Sequence, residues 1–346
     1  MTGSYGTKED ETILTFALDT ESRQIVKLCG AKGFENPSFI LMHPGGTVLY
    51  SVEELNPAGR ICACRMDNGV PVKVKSMPSG GADPCHLSLD PMAQFLFVSN
   101  YSSGSLGVFR LDQDKMPAEM TDLVQHTGRG PVSGRQDSAH VHFSKWIGDL
   151  LYSCDLGEDK VYVYRLDRGT GRLAPAMAPL EIPAGYGPRH LIWKEDHPEL
   201  VYVLTELAAK LLVYRWTDEN SAWRLAEETD TIDEGIDRDG LPVADQNAFG
   251  AAIKINEAGD LLAVSVRGAD TIVLFDRDND GMLNKIGSFS SGGAIPRDFS
   301  FFGDCIVAAN QLSDNLRLLT FDRENRTLDA AEEAVQAQKP VCVLPC

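Results

Sequence analysis

The chain has 346 residues, 43% of them hydrophobic and 24% charged, and its 32 Lys and Arg against 50 Asp and Glu give a formal net charge of −18. That composition is ordinary for a globular protein. The acidic balance sets nucleic-acid backbones and anionic membranes aside as partners, although a local cluster of Arg can still reverse the potential inside one cleft. No apolar run approaches the ~20 residues that span a bilayer. The segment Met1 to Glu11 is polar rather than signal-like, so a cytoplasmic location is expected.

In chain order, Thr12 to Asp19 reads as one strand with another before it. From there a unit recurs six times: a short apolar strand, a turn, a second apolar strand ending on a polar residue, and further strands. The first copy begins near Asn36-Pro37-Ser38 and turns at His43-Pro44-Gly45-Gly46. The second opens at Pro84-Cys85-His86, runs on to Phe95–Asn100, and adds Leu106–Leu111. The third opens at Ser138-Ala139-His140, adds Val161–Leu166 and turns at Asp167–Gly171. The fourth opens at Pro188-Arg189-His190 and runs on to Leu200–Glu206. The fifth and sixth begin near Asn247-Ala248-Phe249 and Pro296-Arg297-Asp298, and Pro340–Pro345 reads as one more strand.

A period of roughly 50 residues with several short strands per unit, and little helical periodicity, is the signature of an all-β propeller. Six units leave strands unpaired at both ends. Pairing them predicts a seven-bladed β-propeller whose seventh blade is closed by N- and C-terminal strands. Length alone would suggest two domains, but blades that need their neighbours predict a single domain over residues 1–346.

Two polar stretches interrupt the rhythm, residues 128–137 and 229–246; long loops of this kind either line a site or wander over the surface. Asp276-x-Asp278-x-Asp280-Gly281 imitates the start of a calcium loop, but Gly287 stands where the bidentate Glu belongs, so a solvated turn is expected. The eight cysteines (29, 62, 64, 85, 154, 305, 342 and 346) are scattered and read as reduced thiols, mostly in the core. Cys62 and Cys64 share a strand face without a second ligand pair nearby, so neither a metal nor another cofactor is expected.

Strand direction supplies the functional inference. The first and second strands of a blade are antiparallel, so the start of one and the end of the other lie on the same face of the disc. First-strand starts carry His86, His140, Arg189 and Arg297; second-strand ends carry Glu54, Tyr101, Leu156, Glu206, Arg267 and Gln311. A purely structural ring would tend to repeat one residue type. Here an imidazole, a carboxylate and two guanidiniums fall at corresponding places, a set able to hold an anion, polarise a carbonyl and move a proton. Polar residues at strand ends also cap turns and tie blades together, and spacing alone leaves the two readings open. His142, two residues after His140, would point the same way along a strand and is expected to support it.

These residues resemble the seven-bladed propeller lactonases, a family that includes bacterial 6-phosphogluconolactonases and fungal 3-carboxy-cis,cis-muconate lactonizing enzyme. The resemblance runs end to end. It rests on Pro84-Cys85-His86, Asn100–Ser105, Arg135-Gln136 followed by His140-x-His142, Gly187-Pro188-Arg189-His190, Thr205-Glu206-Leu207, Arg267-Gly268 and Pro296-Arg297. It implies His140, Arg189, Glu206 and Arg267 as catalytic residues, with Glu206 or His140 as the general base. Around them His86, Tyr101, His142, His190, Arg297 and Gln311 would contact substrate. Where the family often carries Asn before the second arginine and His after its glycine, this chain has Val266 and Ala269, a difference that bears on substrate specificity. The implied activity is metal-independent hydrolysis of an anionic lactone, 6-phosphogluconolactone first, by a monomer or weak homo-oligomer. The alternatives are a cycloisomerase or lactonase of a non-phosphorylated acid, and a non-enzymatic propeller scaffold for protein partners.

Overall fold

The apolar runs and turn signals resolve into seven antiparallel sheets, here called blades, in a computed structural model that describes residues 1–218, 222–233 and 249–346. Blade 1 is Ile40–Met42, Val48–Glu53, Arg60–Asp67 and Val70–Pro78; blade 2 is Pro84–Leu89, Phe95–Asn100, Ser105–Leu111 and Pro117–Gln125. Blade 3 is Val141–Ile147, Leu150–Asp155, Lys160–Asp167 and Arg172–Pro175, with Leu180–Glu181 added to its third strand. Blade 4 is Pro188–Ile192, Leu200–Thr205, Lys210–Thr217 and Ala222–Asp230; blade 5 is Phe249–Ile255, Leu261–Arg267, Thr271–Arg277 and Leu283–Ser290. Blade 6 is Pro296–Phe302, Cys305–Asn310, Asn315–Asp322 and Thr327–Ala330, with Val335–Gln336 added. In the seventh sheet the order is Gln24–Ala31, Ile13–Asp19, Thr2–Ser4 and Pro340–Val343, so it combines N-terminal strands with the C-terminal one, as the unpaired ends predict. The fold is an all-β seven-bladed propeller.

Position within a blade explains why the sequence signal differs between strands. Every residue of Val48–Glu53, Phe95–Asn100, Leu200–Thr205, Leu261–Arg267 and Cys305–Asn310 is buried. A strand covered on both faces reads as a continuous apolar run. Outer strands such as Val70–Pro78 and Ala222–Asp230 mix exposed and half-buried positions, and their hydrophobic signal is correspondingly weaker.

The chain divides into two compact units. In the first (Met1–Phe16, Lys27–Pro188 and Leu344–Cys346), one core cluster joins Tyr50, Val52 and Ile61 to Leu87, Val98 and Phe109, and a second joins Phe97 and Leu106 to Val141, Leu151 and Tyr164. The Tyr50 hydroxyl is satisfied by donating to the Lys115 carbonyl at 2.7 Å. In the second unit (Ala17–Val26 and Arg189–Val343), Tyr202, Leu204, Val264 and Phe275 form one core and Ile272, Phe299, Ile306 and Leu319 another. Each such side chain contributes about 1.5–3 kcal/mol on burial.

The polar stretch 128–137 is tied down by one side chain. Gln136 is buried, donates to the Leu156 carbonyl and to Asp159 at 2.8 Å each, and accepts from the Val132 amide at 3.1 Å. Of the second stretch, residues 234–246 lie outside the described residues. The calcium-like stretch is a turn, as expected: the Asp278 carboxylate accepts from the Asp280 and Met282 amides at 2.9 Å each, and Asp276 pairs with Arg326 at 2.5 Å. Cys62 and Cys64 are buried, and all eight cysteines are free thiols. Among the described residues no helix is long and apolar enough to cross a membrane.

Candidate active site

The start of the first strand carries a repeated irregularity that the sequence does not announce. Pro84 pairs with Asn100, Val141 with Asp155 and Pro296 with Asn310, and in each case the next residue, Cys85, His142 or Arg297, is an extra one bulged out of the ladder. Blade 5 has the same register shift between Gly250 and Ile253. Bulges re-aim side chains and bend strands. Of the residues expected together at first-strand starts, three occupy different registers. His140 lies one residue before its strand, Arg297 lies on a bulge, and His86 lies one pair further in, opposite Ser99. The bulge sets Cys85, His142 and Arg297 apart from the ladder residues on either side of them.

In the first unit, His140 is held from several sides. Its backbone amide donates to Asp155 Oδ1 at 2.8 Å, and its carbonyl accepts from the Leu156 amide at 2.9 Å. Its ring lies 4.4 Å from the Tyr101 ring, nearly parallel at 13°, and its Nδ1 is 3.0 Å from the Tyr101 carbonyl. A carbonyl only accepts, so Nδ1 carries the proton and Nε2 of the neutral ring keeps its lone pair. His142 meets the same tyrosine ring edge-on at 5.6 Å, consistent with a supporting position beside His140. His86 is buried between Phe39 and Phe143, with ring centroids 4.3 and 4.1 Å away.

Two glycines let backbone press against the segment that carries His140. A Cβ on Gly157 would lie 1.9 Å from the Ser138 carbonyl oxygen and 2.9 Å from the His140 nitrogen. One on Gly104, where φ is +59°, would lie 2.5 Å from the Ala139 carbonyl oxygen. Only glycine fits where two backbones approach this closely.

In the second unit, Arg189, Glu206 and Arg267 form a buried triplet, exposed by 3%, 4% and 8%. Arg189 Nε and Arg267 Nη2 both reach Glu206 Oε2, at 2.9 and 2.8 Å. Arg189 Nη1 also donates to the Ala251 carbonyl and lies 3.0 Å from His190 Nε2. Arg267 Nη2 donates to the Gly250 carbonyl at 3.5 Å, and its guanidinium lies 5.4 Å from the centroid of the Phe249 ring. Charged side chains are almost never this buried unless paired. Two guanidiniums against one carboxylate leave the triplet one net positive charge inside a chain of net charge −18. Guanidinium forks of this kind are the groups that pair with anionic oxygens.

Gln311 opens a short 3₁₀ turn, Gln311–Ser313, with its amide donating to the Ile295 carbonyl at 3.0 Å, while Arg297 is half-buried on its bulge. Within its unit each group is brought together by its strands: His140 with Tyr101 and His142 in the first, Arg189 with Glu206, Arg267 and His190 in the second.

Sequence reasoning missed one pair. Asp155 is the last residue of its second strand, one before the position compared above, and is fully buried. Its Oδ2 lies 2.6 Å from Nδ1 of His126, whose Nε2 lies 2.8 Å from the Tyr164 hydroxyl. The signal was available, since the corresponding residues in blades 2 and 6 are Asn100 and Asn310, whereas blade 3 has a carboxylate, as blade 1 does at Glu53. With Glu158, these side chains make the one group in metal-ligand proximity among the described residues. Both His126 nitrogens are engaged by Asp155 and Tyr164, and Glu158 accepts from the Tyr162 hydroxyl at 2.8 Å, so the group closes as a hydrogen-bonded network. Burial and nearby carboxylates raise the Tyr162 and Tyr164 phenols well above their usual range, which keeps both hydroxyls as donors.

Comparison with known proteins places the whole chain in a family. Residues 1–345 match the family described as "Lactonase, 7-bladed beta-propeller". The chain is 30% identical to a 6-phosphogluconolactonase of Bacillus subtilis over 352 residues, covering 99% of this chain and 96% of that one. It is similar in structure to a periplasmic gluconolactonase of Pseudomonas aeruginosa (TM-score 0.89, 27% identity, 99% and 96% of the two chains). It is likewise similar to a putative 6-phosphogluconolactonase of Bacteroides fragilis (TM-score 0.87, 25% identity, 99% and 95%). The chain belongs to the seven-bladed β-propeller lactonase family.

Proposed function

We propose that the protein hydrolyses a phosphorylated sugar lactone, with 6-phosphogluconolactone as the best-fitting substrate. The observation that carries this reading is the buried Arg189–Glu206–Arg267 triplet, because guanidinium forks match the oxygens of a phosphate, a carboxyl group or a developing oxyanion. A lactone carbonyl opens when water is made nucleophilic and the tetrahedral oxyanion is stabilised. Water attacks the carbonyl carbon while passing a proton to His140 Nε2. The ring C–O bond then breaks, and the departing alkoxide takes that proton back, leaving the open-chain acid. His140 suits the base role better than Glu206, because its Nδ1–H is committed to the Tyr101 carbonyl while Glu206 Oε2 is shared by two guanidiniums. Glu206 is then the counter-ion that fixes the two forks. The relative named 6-phosphogluconolactonase supports the phosphorylated substrate. A lactone without phosphate is the second reading, favoured by the likeness to the gluconolactonase.

Arg189→Lys tests the reading, since it keeps the charge and removes the planar fork. Lactone turnover should fall by about 10²–10³. Wild-type turnover in this variant on every lactone the parent opens would remove the triplet from the mechanism and return weight to a protein-binding scaffold.

A further inference from the structure

We propose that the buried Asp155–His126 pair is a positioning element for His140, acting through the backbone of the strand start. This rests on the reading of His140 as the general base. At the corresponding place in blades 2 and 6, Asn100 and Asn310 donate to the carbonyls of Ser79 and Ser291, residues that follow the outer strand of the preceding blade. Those are neutral ties between neighbours. Blade 3 makes the same tie with ionisable groups, Asp155 to His126, which follows the outer strand Pro117–Gln125. A structural tie does not need this exchange, as the two asparagines demonstrate.

The exchange changes what the residue can hold. Asp155 accepts on both oxygens: His126 on Oδ2, and on Oδ1 the amides of His140 at 2.8 Å, Gly157 at 2.9 Å and Glu158 at 3.1 Å. One proton assignment satisfies the whole chain. Tyr164 O–H donates to His126 Nε2, and His126 Nδ1–H donates to Asp155. The ring of His126 is fixed further by Tyr162, 4.2 Å away, and is itself buried. The same amide of His140 lies where a Cβ on Gly157 would intrude. The result is a rigid line from the blade interior to the backbone of His140, whose ring is aimed at its other end by Tyr101. A misplacement of ~1 Å far from the reacting atoms can cost about 10² in rate, which is the scale of effect this line would control.

The test uses Asp155→Ala and the near-isosteric Asp155→Asn in the full chain, alone and combined with His140→Ala, with 6-phosphogluconolactone as the probe. Asp155→Ala should lower kcat by about 10–100-fold with KM within about twofold, Asp155→Asn should recover part of the loss, and neither should cost anything further beside His140→Ala. A kcat loss that persists undiminished in the His140→Ala background, or a lowered melting temperature with unchanged kcat, overturns the proposal. The ring nitrogen resonances of His140, followed by NMR across pH, give a reading independent of turnover. They should shift or broaden in Asp155→Ala and, less, in Asp155→Asn; unchanged resonances in both overturn it as well. If His140→Ala keeps full turnover, the assignment of the base fails, and the resonances alone decide whether Asp155 positions the ring.

Discussion

Replacing Glu206 by Gln should destabilise the fold by a predictable amount. The carboxylate is the shared acceptor of two guanidiniums at 2.9 and 2.8 Å, and all three side chains are at least nine-tenths out of water, with exposures of 4%, 10% and 6% for Arg189, Arg267 and Glu206. The amide keeps the shape but removes the only negative charge of the triplet. Leaving a buried charge without its partner typically costs about 3–5 kcal/mol. At ~2.1 cal/mol/K per residue, a chain of 346 residues has an unfolding entropy of about 0.7 kcal/mol/K, so that cost lowers the melting temperature by about 4–7 °C. Thermal unfolding followed by circular dichroism reads this directly. If uncompensated charge is the cause, adding Arg267→Met to Glu206→Gln should recover part of the loss, because one stranded cation is removed. A Glu206→Gln protein melting within about 1 °C of the parent would refute the claim that the triplet is a buried, ionised hub.

Other outcomes follow from single positions. Gly157→Ala should cost about 2 kcal/mol or more in urea denaturation, because its Cβ would meet the Ser138 carbonyl at 1.9 Å, whereas Gly169→Ala, whose Cβ would meet only the Asp167 carboxylate at 3.3 Å, should stay within ~0.5 kcal/mol. His43 titrates below the ordinary histidine value, chiefly through burial and secondarily through Lys115, and its Nδ1 accepts from the Gly45 amide at 3.0 Å. A depressed folded value means that its contribution is fully present above the unfolded pKa of about 6.5 and is lost as pH falls below it. The melting temperature should therefore drop more steeply between pH 7 and 5 in the parent than in His43→Asn, and parallel curves would exclude the effect. Burial pushes the Cys64 thiol up to about 12 while Cys346 is exposed, so iodoacetamide at pH 8 should label Cys346 and spare Cys64; peptide mass spectrometry that finds Cys64 modified in the native state would contradict this.

Much of the architecture was legible because a propeller repeats its strand pattern. The fully covered second strands, Phe95–Asn100 and Leu200–Thr205 among them, read as unbroken apolar runs, and strands left over at both ends pointed to the composite sheet. Strand direction also brought Arg189, Glu206 and Arg267 to corresponding ends before any distance was known. The bulges at Cys85, His142 and Arg297 were hidden, since inserting one residue into a ladder leaves no compositional trace when its neighbours are as polar as a strand end already is. Asp155 was passed over because the comparison of second-strand ends began one residue later, at Leu156. Its partner His126 closes an outer strand of the neighbouring blade, 29 residues away, and sequence spacing alone does not bring the two together.

Lactone opening itself is the decisive reaction. The purified chain should hydrolyse 6-phosphogluconolactone, and its kcat/KM should exceed that for the unphosphorylated lactone by about 10–150-fold, the equivalent of one charge-assisted contact worth about 1.5–3 kcal/mol. Equal kcat/KM on the two lactones would contradict the phosphorylated substrate, and failure to open either would contradict the lactonase reading as a whole.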